Sequence, residues 1–292
     1  MSSNTQTLEL AQAPEHWDTV ITPRRPIFEL NLREVWRYRD LTLLFVKRDF
    51  AQVYKQTVLG PLWFFIQPLL TTIIFTIIFG NMAGIPTDSI PPMLFYLAGI
   101  TNWNYFSECL TKTSTTFRDN QQIFGKVYFT RLVMPVSIVL FNLVKYAIQF
   151  ILFVGIYLYF LFTGADIAPN CYVLLFPLLV LLLAGLGLGA GLLITAMTTK
   201  YRDLMFLVQF GVQLFMYATP VIYPLSEVPE QYRLFSVLNP LTSFIETFKY
   251  GFIGVGTFSW AYLAYSAVFT VVLLLVGIVV FNRTEKTFMD TV

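Results

Sequence analysis

The chain has 292 residues, of which 56% are hydrophobic and only 12% are charged, with a formal net charge of +2 at pH 7. In soluble domains about a quarter of the residues are charged, so this composition excludes an ordinary soluble protein and indicates a largely transmembrane chain. At roughly 20 residues per span, the length leaves room for about six helices and none for a separate catalytic domain.

The N-terminal region is predicted to remain at the cytoplasmic surface. Residues 1–30 are polar and lack the apolar core of a signal peptide, so they are expected to form a cytoplasmic tail. Residues 31–58 are predicted to form an amphipathic helix on the inner membrane surface. Its apolar side comprises Trp36, Leu43, Val46, Phe50, Val53 and Tyr54. Its opposite side carries Arg48, Gln52 and Lys55. Membrane anchoring explains this side as well as the alternative does, in which Lys47, Arg48 and Lys55 contact an anionic lipid-linked molecule or another subunit.

Apolar sequence begins at Gly60 and continues, with interruptions, almost to the C-terminus. Six spans are predicted, near residues 61–82, 92–111, 134–163, 171–198, 204–222 and 259–281. Lys and Arg concentrate before the first span and after the second, fourth and sixth. The positive-inside rule therefore predicts that both termini are cytoplasmic, with residues 286–292 as the C-terminal end of a permease domain over 59–285.

The sequence offers few groups for chemistry at membrane depth. The one histidine, His16, lies in the tail, and the charged residues in or beside the spans are Glu108, Lys112 and Lys145. Snorkelling or an interhelical polar contact explains these charges without a catalytic role. We therefore predict no catalytic residue, no metal site and no cofactor bound by this chain. No GxxxxGK[ST] loop occurs, so any ATP must bind to another polypeptide.

Small residues in the spans are predicted to serve packing. Cys109 and Cys171 have no CxxC partner and are expected to be packing residues. The run GLGLGAG at 185–191 lies in mid-span with no strand before it, which excludes a dinucleotide loop. It contains two small-xxx-small pairs, which predict close helix contacts: Gly185 with Gly189, and Gly187 with Gly191.

Five segments together resemble a known family. In chain order they are RDFAQVYKQTVLGPLWFFIQPLL, LAGITNWNYFSECL, NQQIFGKVYFTRLVMP, TPVIYPLSEVP and NPLTSFIETFKYG. Over roughly residues 30–285 they resemble the ABC permeases that export lipid-linked polysaccharides, the membrane subunits for O-antigen, capsule or teichoic acid. The resemblance implies an all-α homodimer in the bacterial inner membrane, with a lipid-pyrophosphate-linked glycan as substrate. It also implies two copies of a cytoplasmic ABC ATPase, which would bind ATP and Mg, and no nucleic acid partner.

The resemblance also implies roles for two connections. Residues 118–131 are similar to the coupling helix that docks on the ATPase, which assigns this contact to Phe124, Gly125, Lys126, Tyr128, Phe129 and Arg131. Thr130 stands where the family usually has proline, so the end of this helix is expected to be less sharply fixed. Residues 223–257 are similar to short re-entrant helices before the last span that close the pore on the outer side. An ordinary amphipathic loop is the alternative, and the candidate outer-gate residues are Pro220, Tyr223 and Pro240.

Two further groups are candidates for contact with a substrate. Basic side chains near the inner headgroup boundary can hold a pyrophosphate by charge-assisted hydrogen bonds. The candidates for this substrate-admitting role are Lys47, Arg48 and Lys55. Aromatic faces can stack on sugar rings, although interfacial belts account for most aromatic residues in such a chain. The candidate channel-lining residues are Trp63, Trp103 and Tyr105.

The leading functional prediction is therefore a membrane subunit of an ATP-driven exporter of a lipid-linked polysaccharide, with O-antigen as the first candidate. Two alternatives are kept beside it. One is an ABC permease of the same architecture that exports a drug or a small lipid. The other is a membrane-embedded glycan-processing enzyme, which the shortage of titratable groups at membrane depth disfavours.

Overall fold

The computed structural model describes residues 32–55, 57–127, 129–201 and 203–288, and within these ranges the chain forms helices and no β-strand. The first six α-helices are α1 (Leu32–Arg37), α2 (Arg39–Lys55), α3 (Trp63–Phe75), α4 (Pro92–Thr113), α5 (Thr116–Asp119) and α6 (Gln121–Phe124). The next six are α7 (Val133–Phe162), α8 (Phe176–Lys200), α9 (Leu204–Tyr217), α10 (Glu230–Leu238), α11 (Pro240–Ile253) and α12 (Trp260–Phe288). The predicted all-α class is confirmed for this part of the chain.

Shorter helical turns extend some of these elements. The 3-10 turns are Gly60–Leu62 before α3, Cys171–Leu175 before α8 and Leu225–Glu227 before α10. After Phe75, α3 widens into a π-helix over Thr76–Met82. The turns and the π-helix make α3 and α8 parts of longer continuous segments that run over Gly60–Met82 and Cys171–Lys200.

Four helical segments are long and apolar enough to cross a bilayer. They are Gly60–Met82, Val133–Phe162, Cys171–Lys200 and Trp260–Thr284, and they confirm four of the predicted spans to within a few residues. The second predicted span coincides with α4, whose 22 residues measure about 33 Å, but it carries several polar side chains. The fifth ends early, because α9 has 14 residues and measures about 21 Å, short of a core of about 30 Å. These two spans stay predictions.

The central helix of the bundle is α4, which packs against α3, α7, α8, α9 and α11. Asn102, one of its buried polar residues, is hydrogen-bonded both within α4 and to a neighbouring helix. The side-chain amide of Asn102 donates to the carbonyl oxygen of Ala98 at 2.8 Å, and the Tyr146 hydroxyl donates to the Asn102 oxygen at 3.1 Å. A helix enclosed by protein can carry such groups when they are hydrogen-bonded, which explains why α4 is less apolar than the helices around it.

The two glycine pairs of α8 face two different helices. A Cβ atom added at Gly187 would lie 2.7 Å from the Cβ atom of Cys109 on α4, and one at Gly189 would lie 2.8 Å from the backbone of Leu274 on α12. The predicted close packing is therefore confirmed, since no larger residue fits without displacing a neighbour. The packing role predicted for Cys109 is also confirmed, whereas the side chain of Cys171 is exposed and that prediction is wrong.

The predicted amphipathic segment forms two helices that join at Tyr38. Trp36 and Leu43 are exposed, as expected of the predicted apolar side. The opposite side of α2 also makes contacts within the protein. α2 packs against α7, and Phe45 is buried with its ring centroid 5.7 Å from that of Phe129. The prediction missed this second contact. The predictions for residues 1–30, and for the side chain of Tyr54, lie outside the described residues.

The predicted segment 223–257 contains α10 and α11. Most side chains of α11 are buried, and this helix packs against α4, α8 and α12. It ends at Gly254, whose φ of 86° is readily adopted only by glycine. By contrast, most of α10 is exposed. The short helices are present, and their re-entry into the membrane stays a prediction.

Candidate functional site

Charged side chains gather at the two opposite ends of the helical bundle. Following the predicted orientation, we call the end that carries α1, α2, α5 and α6 the inner end, and the end that carries α10 and α11 the outer end. At the inner end, a cavity of about 730 Å³ opens between α2, the last turn of α4, the segment with α5 and α6, and the first half of α7. We call it the inner cavity.

Most charges of the inner cavity are paired. Its charged lining residues are Arg48, Asp49, Lys112, Arg118, Asp119 and Lys145. Each arginine bridges the aspartate that follows it, at 2.7 Å for Arg48 and 2.8 Å for Arg118, and Lys145 pairs with Glu108. Lys112 is exposed, and within the described ranges no carboxylate lies at ion-pair distance from it. The cavity therefore presents one cation that is free to attract an anion.

Of the three candidate substrate-admitting residues, the structure places Arg48 at the cavity. Its guanidinium group lies over the ring of Phe45, with 4.9 Å to the ring centroid, and its side chain is 33% exposed. Lys47 and Lys55 are exposed on α2 and do not line the cavity. The structure therefore does not bring the three side chains together, and their substrate contact stays a prediction.

The candidate coupling residues divide into buried and exposed groups. Phe124 and Phe129 are buried with ring centroids 5.8 Å apart, and Arg131 is 6% exposed with its guanidinium group 5.4 Å from the centroid of Phe124. These three side chains stabilise the connection itself and offer little surface to a partner. In contrast, Gly125 and Lys126 are exposed.

The connection 118–131 is not one helix. It contains α5 and α6, each of four residues, separated at Asn120. Thr130, where proline was expected, donates its hydroxyl to a carboxylate oxygen of Glu34 on α1 at 2.6 Å. A proline could not make this contact, so the connection is held by a hydrogen bond to α1. Tyr128 lies outside the described residues, and its coupling role stays a prediction.

The candidate channel residues occupy different environments. Trp63, at the start of α3, is 48% exposed. Trp103 and Tyr105 on α4 are 5% and 3% exposed, and they pack against Phe215 and Tyr146 with ring centroids 6.0 Å and 5.0 Å apart. Burial within one subunit favours a packing role for both, while a channel role stays a prediction for all three.

At the outer end, α11 carries a buried ion pair. The ammonium group of Lys249 lies 3.7 Å from Glu246, donates to the carbonyl oxygen of Pro220 at 2.8 Å, and sits 3.7 Å from the ring centroid of Phe95. Glu246 in turn accepts from the backbone N–H of Thr257 at 3.0 Å. Burial lowers the pKa of Lys249, and the carboxylate of Glu246 acts against that shift. This outer ion pair joins α11 to α4 and to the turn after α9.

The candidate outer-gate residues lie at the same end of the bundle as this ion pair, and Pro220 contacts it. Pro220 supplies the carbonyl oxygen that Lys249 binds, and Tyr223 donates its hydroxyl to the backbone oxygen of Tyr217 at 3.1 Å. Pro240 opens α11, where the side chain of Asn239 caps the helix. The structure thus brings the three residues to one end of the bundle, and their gating role stays a prediction.

Sequence reasoning missed the outer ion pair. It singled out neither Lys249 nor Glu246. A usable signal was present, because the two charges stand three residues apart in an otherwise uncharged helix, a spacing that places them on one face. Reasoning had noted Glu108 and Lys145 but not that they pair. Among the described residues, no three or more His, Cys, Asp or Glu side chains come together as a metal site requires.

The fold defines a multi-span integral membrane protein, and comparison with known proteins identifies its class. Residues 40–253 match the model of the ABC-2 type transporter family. Because this match covers well over half of the sequence, the chain belongs to the ABC-2 type transporter family, the membrane permeases of ABC transporters. The family is one of transport subunits and not of enzymes, and the membrane location of the chain follows from it.

Named relatives are similar over most of the chain. An O-antigen export system permease protein, RfbA, from Klebsiella pneumoniae is 26% identical over 251 residues, which cover 86% of this chain and 94% of the relative. RfbA from Myxococcus xanthus is 28% identical over 75% of this chain and 82% of the relative. The polysialic acid transport protein KpsM from Escherichia coli is 23% identical over 80% of this chain and 89% of the relative.

Proposed function

We propose that this chain is the membrane subunit of an ATP-driven exporter that moves a lipid-linked polysaccharide, in the first instance O-antigen, across the bacterial inner membrane. The observation that carries the proposal is the similarity to permeases named for O-antigen export, which extends over 86% of the chain. The match includes both ends of the bundle, so it is not limited to one apolar helix that any membrane protein could share.

The proposed assembly is a homodimer of six-span subunits with two copies of a cytoplasmic ABC ATPase, which bind ATP and Mg. Exposed apolar surface on α3 supports a second copy. In the most apolar part of Gly60–Met82 only 11% of the residues are buried. In the most apolar parts of Val133–Phe162 and Cys171–Lys200, 33% of the residues are buried. The segment therefore has more surface available for another subunit or for lipid than its neighbours have. Both termini are proposed to be cytoplasmic, which places α5 and α6 beside the ATPase.

Capsular polysaccharide is the second candidate cargo. The similarity to a polysialic acid transport protein covers 80% of this chain, between the 86% and 75% of the two O-antigen relatives. Both cargoes would be lipid-linked glycans, so the same inner cavity and outer end would serve either. The surface glycan that is lost when the gene is deleted distinguishes them.

The direct test is deletion of the gene for this chain, followed by analysis of surface and internal glycan. We expect one surface polysaccharide to disappear while its lipid-linked form accumulates on the inner side, and restoration of both on return of the gene. Co-purification of a nucleotide-binding ABC subunit with the tagged chain tests the second half of the proposal. Unchanged surface glycan, or loss of resistance to a drug with all glycans intact, would contradict it.

The proposed topology has its own test. Residues 223–257 are expected to react from outside the cell, and Ser226 is a suitable position because it is exposed. Ser236 is a less suitable position. Its side chain is only 8% exposed, so a cysteine there would react slowly because it is packed inside the protein. We expect Ser226→Cys and Gln231→Cys, both at exposed positions, to react with an impermeant maleimide in intact cells. Reaction only after lysis would reverse the orientation.

A further inference from the structure

The inner cavity follows one face of α7 from the inner end into the bundle. Its α7 lining residues recur at intervals of three and four: Met134, Ser137, Ile138, Phe141, Asn142 and Lys145. At 1.5 Å per residue the face extends about 16 Å from Met134 to Lys145. The cavity therefore gives a polar route from the inner surface to a lysine that lies well inside the apolar span.

The charge balance of this cavity favours an anion. Four cations face two carboxylates: Arg48, Lys112, Arg118 and Lys145 against Asp49 and Asp119. Counting Glu108, which pairs with Lys145, an excess of positive charge still remains. Each arginine has five N–H donors and its aspartate partner occupies at most two, so donors are left for a ligand. A phosphate suits these groups because it accepts several charge-assisted hydrogen bonds at once.

A buried amide in the same cavity has no nitrogen or oxygen partner among the described residues. Asn142 is 2% exposed and lines the cavity between Phe141 and Lys145. Apart from a contact with the thiol of Cys109, its side-chain oxygen and nitrogen have no hydrogen-bond partner among the described residues. A buried polar group without a partner costs free energy, and such groups are commonly satisfied by a water molecule or a ligand.

The size and position of the inner cavity indicate that its ligand is part of a lipid. A volume of about 730 Å³ is within the range of sites that hold small molecules, and it exceeds what one inorganic phosphate needs. Apolar side chains share the lining, among them Val53, Ile138 and Phe141. A lipid that carries a phosphate next to the start of its hydrocarbon chain matches this mixture, and the predicted position of α2 on the membrane surface would bring such a lipid to the cavity.

We propose that the inner cavity binds the phosphate group of a membrane lipid, with Lys112 and Arg118 at its mouth and Asn142 and Lys145 at its inner end. Two lipids carry this chemistry: the pyrophosphate-linked carrier of the transported glycan, and a bilayer phospholipid. The first source rests on the proposed function, and the second does not. In either case the assigned contacts differ from Lys47 and Lys55, which do not line the cavity.

The test measures binding of defined lipids to the full chain in dodecyl maltoside, a detergent without phosphate, by native mass spectrometry. The probes are undecaprenyl pyrophosphate, phosphatidylglycerol and, as the phosphate-free control, undecaprenol. In the variant Lys112→Gln with Arg118→Gln, we expect affinity for the phosphate-bearing probe to fall at least about tenfold, since two charge-assisted hydrogen bonds are lost. Lys200→Gln removes an exposed lysine outside the cavity and should bind as wild type does.

The variant Asn142→Leu distinguishes a role of Asn142 in ligand binding from a role in folding. Because its amide has no hydrogen-bonded N or O partner to lose, leucine should leave the thermal stability of the chain unchanged or raised while it weakens phosphate binding. A purely structural asparagine would show the opposite pattern, with lower stability and unchanged binding.

The possible results either identify the lipid that supplies the phosphate or reject the proposed site. Tighter binding of undecaprenyl pyrophosphate than of phosphatidylglycerol identifies the carrier lipid. Equal or tighter binding of phosphatidylglycerol identifies a bilayer phospholipid and leaves the export proposal to its deletion test. The inference is overturned if undecaprenol binds as well as the phosphate lipids, if the double variant binds like wild type, or if Lys200→Gln loses as much affinity as the double variant.

Discussion

The two lysine–glutamate pairs of this permease occupy opposite ends of the bundle and differ in what surrounds them. At the inner end, Lys145 and Glu108 are 15% and 34% exposed, and the lysine borders a cavity. At the outer end, Lys249 and Glu246 are 0% and 2% exposed, closed in by Pro220 and Phe95. A pair with free volume beside it can exchange its partner for a ligand, whereas a sealed pair can only hold its neighbours together. The comparison assigns recognition to the inner end and structural support to the outer end.

The largest effect is expected from Glu246→Gln. This change leaves the buried ammonium group of Lys249 without its carboxylate, and removal of one member of a buried pair costs about 3–5 kcal/mol. We expect the free energy of unfolding, measured by SDS titration in mixed micelles, to fall by that amount. The double change Glu246→Leu with Lys249→Met removes both charges and should recover part of the loss.

A smaller loss is expected from Thr130→Val at the inner end. Valine keeps the shape of threonine but removes the hydroxyl that donates to Glu34, a contact worth about 1–2 kcal/mol. The same titration measures it, and Thr57→Val is the control because that exposed hydroxyl binds only within its own helix turn. An effect as large as that of Glu246→Gln would show that the inner end is not the more weakly held of the two.

The matched substitution Glu108→Gln should cost about 1 kcal/mol or less. Lys145 keeps access to water through the cavity and lies 5.1 Å from the ring centroids of Phe64 and Phe141, so its charge is not stranded. Glu108→Gln and Glu246→Gln are the same chemical change made to two lysine partners. Equal losses of stability in these two variants would contradict the proposed difference between the two ends.

The smallest effect on stability is expected from Lys126→Glu, although its effect on assembly should be complete or nearly so. Lys126 is exposed in the predicted coupling connection, and charge reversal there should prevent co-purification of the ATPase without changing the unfolding curve. Arg131→Glu is unsuitable for this purpose, because Arg131 is buried against Phe117 and Phe124 and its reversal would disturb the fold. Normal co-purification of the ATPase with the Lys126→Glu variant would show that Lys126 does not lie at the ATPase interface.

The spans that could be predicted most directly from sequence are those that are apolar over their whole length. Runs such as Cys171–Lys200 are of this kind, so composition alone located them. α4 is enclosed by protein and carries polar groups, so its sequence is less apolar than that of these spans. The glycine pairs of α8 could be predicted because a spacing of four places two small residues on one face.

What sequence reasoning missed depends on contacts between distant segments. Phe45 lies on the side of α2 that had been predicted as polar, and only its packing beside Phe129 explains its burial. The coupling connection was predicted as one helix, but α5 ends and α6 begins at Asn120, whose φ of −118° and ψ of 17° lie outside the α-helical region. The inner cavity combines residues of α2, α4, α5, α6 and α7, and no local pattern brings Lys112 and Lys145 together.

The most direct test of the account is ATP hydrolysis by the chain reconstituted with its co-purifying ATPase in liposomes. We predict that a lipid-pyrophosphate-linked glycan stimulates hydrolysis in the wild type and in Lys200→Gln, and that Lys112→Gln with Arg118→Gln lowers this stimulation without lowering the basal rate. Stimulation by a drug or small lipid but not by the glycan, or full stimulation of the double variant, would contradict recognition of an anionic glycolipid at the inner end.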